Sequence, residues 1–216
     1  MRQALVHRVL PMVLSKTRAQ WPEHDRPRWT SFLQQMWGRH AAQLRVLEAV
    51  ADALRQGGLS FLVFKGVPLA ATLYGDPVWR PAADVDLLVR PDDVDAASRI
   101  MTALGFTTEW SAWYRRHHFH LIWKREDASL PSAVVELHWD LTAPTCGVRF
   151  PLDSWWRNAR PMRVGNLELP VPALANWPAY LAWHALLGGT TNLAALAEIR
   201  HAMSLLERDG AAALAF

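Results

Sequence analysis

An α/β fold with helical ends is predicted by three features of the chain. Short apolar runs of strand character gather in its middle, at 60–64, Val85 to Val89 and Ala133 to Trp139. Before them, Leu44, Leu47, Val50, Ala51 and Leu54 recur at helical spacing. After Pro172 the helical pattern returns. The reading divides the chain into a helical segment over residues 1–58, an α/β core over 59–170 and a second helical segment over 171–216.

The elements follow in order. Gln3 to Ala19 and Trp29 to Trp37 are short helix candidates separated by Pro22–Pro27, and His40 to Gln56 is a stronger one ended by Gly57-Gly58. The run 60–64 reads as a strand, followed by Lys65-Gly66 and a helix from Pro68 to Tyr74, with proline in the first turn. The aspartate-bearing strand comes next. Pro91 then opens a helix to Leu104, with Asp92 and Asp93 at its positive end. Phe119 to Trp123 and Ala133 to Trp139 are further strands, and Val164 to Leu169 forms a small hairpin around Gly165-Asn166. Ala173 to Leu187 and Asn192 to Glu207 are helical, with Gly188-Gly189 between them.

Composition narrows the function classes. The chain has 216 residues, 51% hydrophobic and 20% charged, with a formal net charge of +3. That charge, and the lack of a long basic tract, disfavours a polynucleotide partner. The twelve tryptophans are expected in the core and at packing surfaces. The single cysteine, Cys146, rules out an intramolecular disulfide and fits a reducing compartment. Charges interrupt the apolar N-terminus, and no stretch approaches the roughly 20 apolar residues of a membrane span. A cytoplasmic location is expected.

The most informative residues are Asp84 and Asp86. Residues i and i+2 of a strand share a face, so both carboxylates converge while Val85 turns into the core. Two like charges held that close require a cation or a shared proton. Oxygen ligands suit Mg²⁺. Lys65-Gly66 lies between a strand and a helix start, where glycine admits close backbone approach and the helix terminus attracts phosphate. Lys65 is one of the few lysines in a chain whose positive charge is nearly all arginine. It would supply a point charge to a phosphate; a surface lysine at a turn is the plainer alternative. Arg80 would bind phosphate or pair with Asp84.

These segments, taken in order, resemble a known pattern. Phe64-Lys65-Gly66, Leu73-Tyr74-Gly75-Asp76, Arg80, Asp84 to Val89, Leu104-Gly105-Phe106 and Glu136-Leu137-His138-Trp139 resemble the bacterial family of uncharacterised nucleotidyltransferases. That family belongs to the DNA polymerase β-type superfamily, and the resemblance covers about residues 60 to 140. It implies a polymerase β-like core with a small mixed sheet and a third carboxylate, Glu136, on a neighbouring strand. It further implies an enzyme with Mg²⁺ or Mn²⁺ held by Asp84, Asp86 and Glu136, and with ATP or another NTP as donor. The acceptor would be a hydroxyl or phosphate of a small molecule, peptide or protein. Phosphoryl transfer at the same site, or a non-catalytic nucleotide-binding scaffold, are the alternatives.

Other candidates are less determined. His138 shares the Glu136 face and either contacts acceptor or phosphate or hydrogen-bonds Glu136 from behind. Within 115–120, His118 and His120 could share a strand face and meet the acceptor, with a solvated turn as the alternative. His184 is expected as a core histidine. The resemblance also implies an arginine followed by an aspartate-bearing helix near the C-terminus; the chain departs from this with Asn192 to Glu198, which leaves the role of Glu198 open.

Overall fold

The computed structural model describes residues 9–75, 79–80, 82–109, 112–127, 130–187 and 193–213. Its centre is a four-stranded mixed sheet of β1 (Phe61–Val63), β2 (Val85–Val89), β3 (His120–Asp127) and β4 (Leu130–His138). The strand order is β1-β2-β4-β3. β2 runs antiparallel to β1 and parallel to β4, and β3 is antiparallel to β4. A separate hairpin, β5 (Arg160–Val164) with β6 (Leu167–Val171), forms around the predicted Gly165 turn, where φ is +59°.

The helices are α1 (Leu10–Lys16), α2 (Arg26–Gln56), α3 (Gly66–Tyr74), α4 (Val94–Ala103), α5 (Ala112–His117), α6 (Leu152–Arg157), α7 (Trp177–Leu187) and α8 (Leu193–Ala213). Two expected helices, Trp29 to Trp37 and His40 to Gln56, are one continuous helix of 31 residues. Gly38 does not break it, because solvent-exposed glycine inside a helix costs only about 1 kcal/mol and the apolar stripe continues on both sides. Other elements differ in extent: α1 ends at Lys16, β4 starts at Leu130, the hairpin starts at Arg160 and α8 runs to Ala213. Strand β3 runs on to Asp127, and the helix expected from Pro91 begins as a 3₁₀ turn, Pro91–Asp93, before α4. The Gly188-Gly189 break and Asp76 lie outside the described residues.

The sheet separates two cores. Val85, Leu87 and Val89 of β2, with Val135 and Leu137 of β4, face Leu47, Val50, Ala51 and Leu54 of α2 and Ala97 and Met101 of α4. On the opposite face, Leu62, Phe64 and Leu88 meet Trp155, Trp177, Tyr180 and Leu181. Trp21 and Trp29 join Leu10 and Leu14 in a third cluster that seats α1 against the start of α2. Most tryptophans described as buried therefore serve packing, while Trp37 is exposed. No helix among the described residues is long and apolar enough to cross a membrane.

Candidate active site

Strand pairing builds the site. In the parallel pair of β2 and β4, Asp86 stands beside Glu136 and Leu88 beside His138; across β3, His120 stands beside His138. Neighbouring positions on paired strands project the same way, about 4.8 Å apart. All these polar side chains therefore leave the sheet on the face opposite α2 and α4. Asp86 is only 3% exposed, on a strand buried along its whole length. A carboxylate there requires partners.

It has two. Lys65 Nζ lies 2.5 Å from Asp86 Oδ1 and 3.8 Å from Glu136 Oε2. His138 Nε2 lies 3.3 Å from Asp86 Oδ1 and 3.1 Å from Glu136 Oε2. Burial penalises the charged forms of all three ions. The attraction outweighs it: Lys65 is held well above the ordinary lysine range, and Asp86 and Glu136 below the carboxylate range. The Lys65 backbone has φ +68°, the one positive value at a non-glycine among the described residues. Such a conformation costs of order 1–3 kcal/mol and places the ammonium over the carboxylates. Gly66 follows at φ +51°, and a Cβ there would meet the Asp84 carbonyl oxygen at 3.5 Å.

Asp84 precedes β2 and lines the same cavity. Its carboxyl is pushed up to about 6, first by burial and then by Asp86 and Glu136, with Lys65 and Arg80 opposing. In the metal-free protein, an NMR titration of Asp84 is expected to show proton uptake near pH 6, moved lower by Mg²⁺. The sign for stability follows from linkage. Between the ordinary carboxylate value and pH 6 the folded state binds more protons at Asp84, so this group makes stability fall as pH rises through that window.

Donor atoms of Asp86, Glu136 and His138 all lie within 4.8 Å of one another. Adjacent ligands of an octahedral ion, with bonds of about 2.1 Å, stand roughly 3 Å apart. The separations of His138 Nε2 from the two carboxylate oxygens are close to that, so the residues present fit a divalent cation. Asp84 stands outside this set of mutually close donors. In the metal-free arrangement Lys65 supplies the neutralising charge.

Arg80 does not bind Asp84 in a direct ion pair. Its Nε lies 2.9 Å from Glu198 Oε1 of α8. Glu198 is buried, and this contact accounts for an acid whose place the sequence left open. Removing it as Glu198→Ala leaves a mostly buried guanidinium unpaired. The expected loss is about 1–3 kcal/mol, read from the urea midpoint, because the pair keeps some solvent contact.

The histidines divide. His120 stacks on His138 with ring centroids 4.9 Å apart, and burial followed by His138 pushes it down to about 4. His118 is not on the strand: it follows α5 and stacks on Tyr114 at 3.8 Å. The solvated turn considered for 115–118 is largely α5. His184, expected in the core, borders the cavity instead.

Three contributors escaped sequence reasoning. Gln43 of α2 donates its amide to the Ala82 carbonyl at 2.6 Å and the Asp84 carbonyl at 3.5 Å, steadying the approach to β2. Buried Tyr180, its phenol pushed well up by burial, interacts with Lys65. The Phe64 ring meets His138 edge-on at 4.9 Å. None of them carries a local signal, because each acts across a long sequence separation. The site opens into a cavity of about 760 Å³.

The fold is that of the polymerase β-like nucleotidyltransferases. Among solved structures, the antibiotic-resistance factor ANT(2″)-Ia, in complex with adenylyl-2″-tobramycin, is similar at 13% identity with a TM-score of 0.53. The match covers 80% of this chain and 94% of that one. The lincomycin-bound lincosamide antibiotic adenylyltransferase LnuA is similar at 14% identity and TM-score 0.51, covering 73% and 94%. An antigenic nucleotidyltransferase-like protein from Paracoccidioides brasiliensis is similar at 15% identity and TM-score 0.51, covering 76% and 77%. No curated protein matches the chain. The chain belongs to the family described as uncharacterised nucleotidyltransferases, whose model matches residues 1–215, and is an enzyme that transfers nucleotidyl groups.

Proposed function

We propose that the chain transfers a nucleotidyl group from Mg-NTP to a hydroxyl or phosphate of a small acceptor, with release of pyrophosphate. The observation that carries this reading is the convergence of Asp86, Glu136 and His138 donors beneath the cavity, with Lys65 among them. Asp84, Asp86 and Glu136 would hold the divalent ion, with the His138 imidazole beside them. When bound, that ion neutralises triphosphate charge and lowers the pKa of a hydroxyl at the site.

The protein's own groups do the remainder. Lys65 and the backbone at Gly66 meet the triphosphate, Lys65 as a point charge and the start of α3 as a partial positive pole. Arg80, held by Glu198, adds charge on the same side of the cavity. The His138 contact at 3.1 Å fixes the orientation of the Glu136 carboxylate. The acceptor oxygen attacks the α-phosphorus and loses its proton toward the carboxylates. The bond from that phosphorus to the pyrophosphate oxygen breaks, and pyrophosphate leaves with the electron pair. Small acceptors are favoured because both similar antibiotic-modifying structures hold small molecules, as adenylyl-2″-tobramycin and lincomycin.

Calorimetry with ATP, GTP, CTP and UTP, each in Mg²⁺ and in EDTA, tests the reading. Metal-dependent binding of at least one nucleotide is expected. No binding by any of the four would defeat it. Product mass then separates nucleotidyl from phosphoryl transfer.

A further inference from the structure

Two groups of elements line the cavity, and the triphosphate accounts for one of them. Lys65, Arg80, Tyr74 and Glu198 of α8 line one part of the cavity, where the two cations suit the triphosphate. The other side is built by α1 and α2 and presents Leu10, Met12, Phe32, Met36 and Val46. Glu136 lines the same cavity, and Gln43 of α2, hydrogen-bonded to the Asp84 carbonyl, joins this apolar wall to the carboxylate end. At its rim Arg39 stands exposed on α2, with no ion pair or hydrogen bond among the described residues.

The acidic lining is already committed. Of the described carboxylates around the cavity, Asp84, Asp86 and Glu136 surround the proposed metal position, and Glu198 is neutralised by Arg80. None is left over to receive an ammonium group. A polycationic acceptor would meet an apolar wall and an unpaired guanidinium, and would lose its hydration without compensation. A molecule with an apolar body gains from burying it against Phe32 and Met36. An anionic group on that molecule is received by Arg39 through a charge-assisted hydrogen bond.

Resting on the nucleotidyl-transfer reading above, we propose that the α1–α2 side of the cavity is the acceptor pocket. Its ligand is a small molecule with an apolar body and one anionic group, carboxylate or phosphate, bound by Arg39.

Fluorescence titration tests this with three probes: 1-anilinonaphthalene-8-sulfonate, its uncharged relative N-phenyl-1-naphthylamine, and tobramycin as a non-fluorescent competitor. The wild type is expected to bind the sulfonate more tightly than the uncharged probe. Arg39→Gln weakens the sulfonate by about three- to tenfold, leaves the uncharged probe unchanged, and is partly rescued by Arg39→Lys. Met36→Glu weakens both probes, with circular dichroism confirming the fold. Tobramycin displaces neither.

Displacement by tobramycin, or unchanged sulfonate affinity in Arg39→Gln, overturns the proposal. Competition between Mg-ATP and the probe also overturns it, because this side would then belong to the nucleotide. Calorimetry of Mg-ATP on the same variants separates the two readings. Loss of nucleotide binding by the wild type with the probe pattern intact defeats nucleotidyl transfer and leaves an anion-reading apolar pocket.

Discussion

Asp86→Asn is expected to abolish metal-dependent nucleotide binding and to lower transfer by more than about a hundredfold. Loss of a group that merely supports a metal ligand typically costs 10- to 100-fold, so loss of a ligand should cost more. The substitution preserves shape and removes charge. Among carboxylates Lys65 then keeps only Glu136, at 3.8 Å, and His138 loses one of its two carboxylate partners. Leaving a buried ammonium without its nearest counter-charge costs about 3–5 kcal/mol when burial is complete. Lys65 is 11% exposed in its side chain, so the lower end applies. Calorimetry with Mg²⁺ and ATP reads the binding, and urea unfolding reads the stability. Asp92→Asn, on the exposed 3₁₀ turn before α4, serves as the control. Wild-type binding by the Asp86 variant would remove Asp86 from the site.

Lys65→Met produces the opposite charge imbalance and hence a different signature. Asp86 and Glu136 then face each other with only His138 between them. In EDTA the variant is expected to be less stable than wild type by about 2–4 kcal/mol, the cost of breaking a nearly buried pair, offset in part by the apolar replacement. Millimolar Mg²⁺ should restore most of that loss, since a ligand of the folded state stabilises it in proportion to its occupancy. It should not rescue Asp86→Asn, which lacks the ligand. Nucleotide affinity should fall at least about tenfold, because a charge-assisted phosphate contact is worth about 1.5–3 kcal/mol. If Mg²⁺ stabilised Lys65→Met no more than wild type, Lys65 would not stand in for the metal charge.

Much of this site was legible before any coordinates. A carboxylate inside an apolar strand, as Asp86 is, is costly and announces a cation, whereas Asp84, expected on the same strand, stands just before it and outside the close donor set. The glycine after Lys65 marks a turn between strand and helix, where its positive φ is at home. Glu136-Leu137-His138 repeats the same period-2 logic on a second strand. The helices were legible where apolar spacing was strong, as in 44–54. They misled where glycine or proline suggested a stop that packing overrode, as at Gly38. His118 was misplaced because the six residues Ala112–His117, shortly before β3, wind into α5, and no local pattern distinguished a short helix from a turn.

What the sequence alone determined is the chemistry of the parts: which strands exist, which carry acids, and which lysine is unusual. These depend on interactions between residues close in the chain, where spacing is a direct record of geometry. What only the tertiary structure decided is which parts meet. The parallel register sets Asp86 beside Glu136, and the fold brings Glu198 to Arg80 across 118 residues and Gln43 to Ala82 across 39. The cavity wall of α1 and α2 likewise exists only once α2 packs on the sheet. Such contacts are fixed by the burial of whole faces rather than by local periodicity, so no single segment records them.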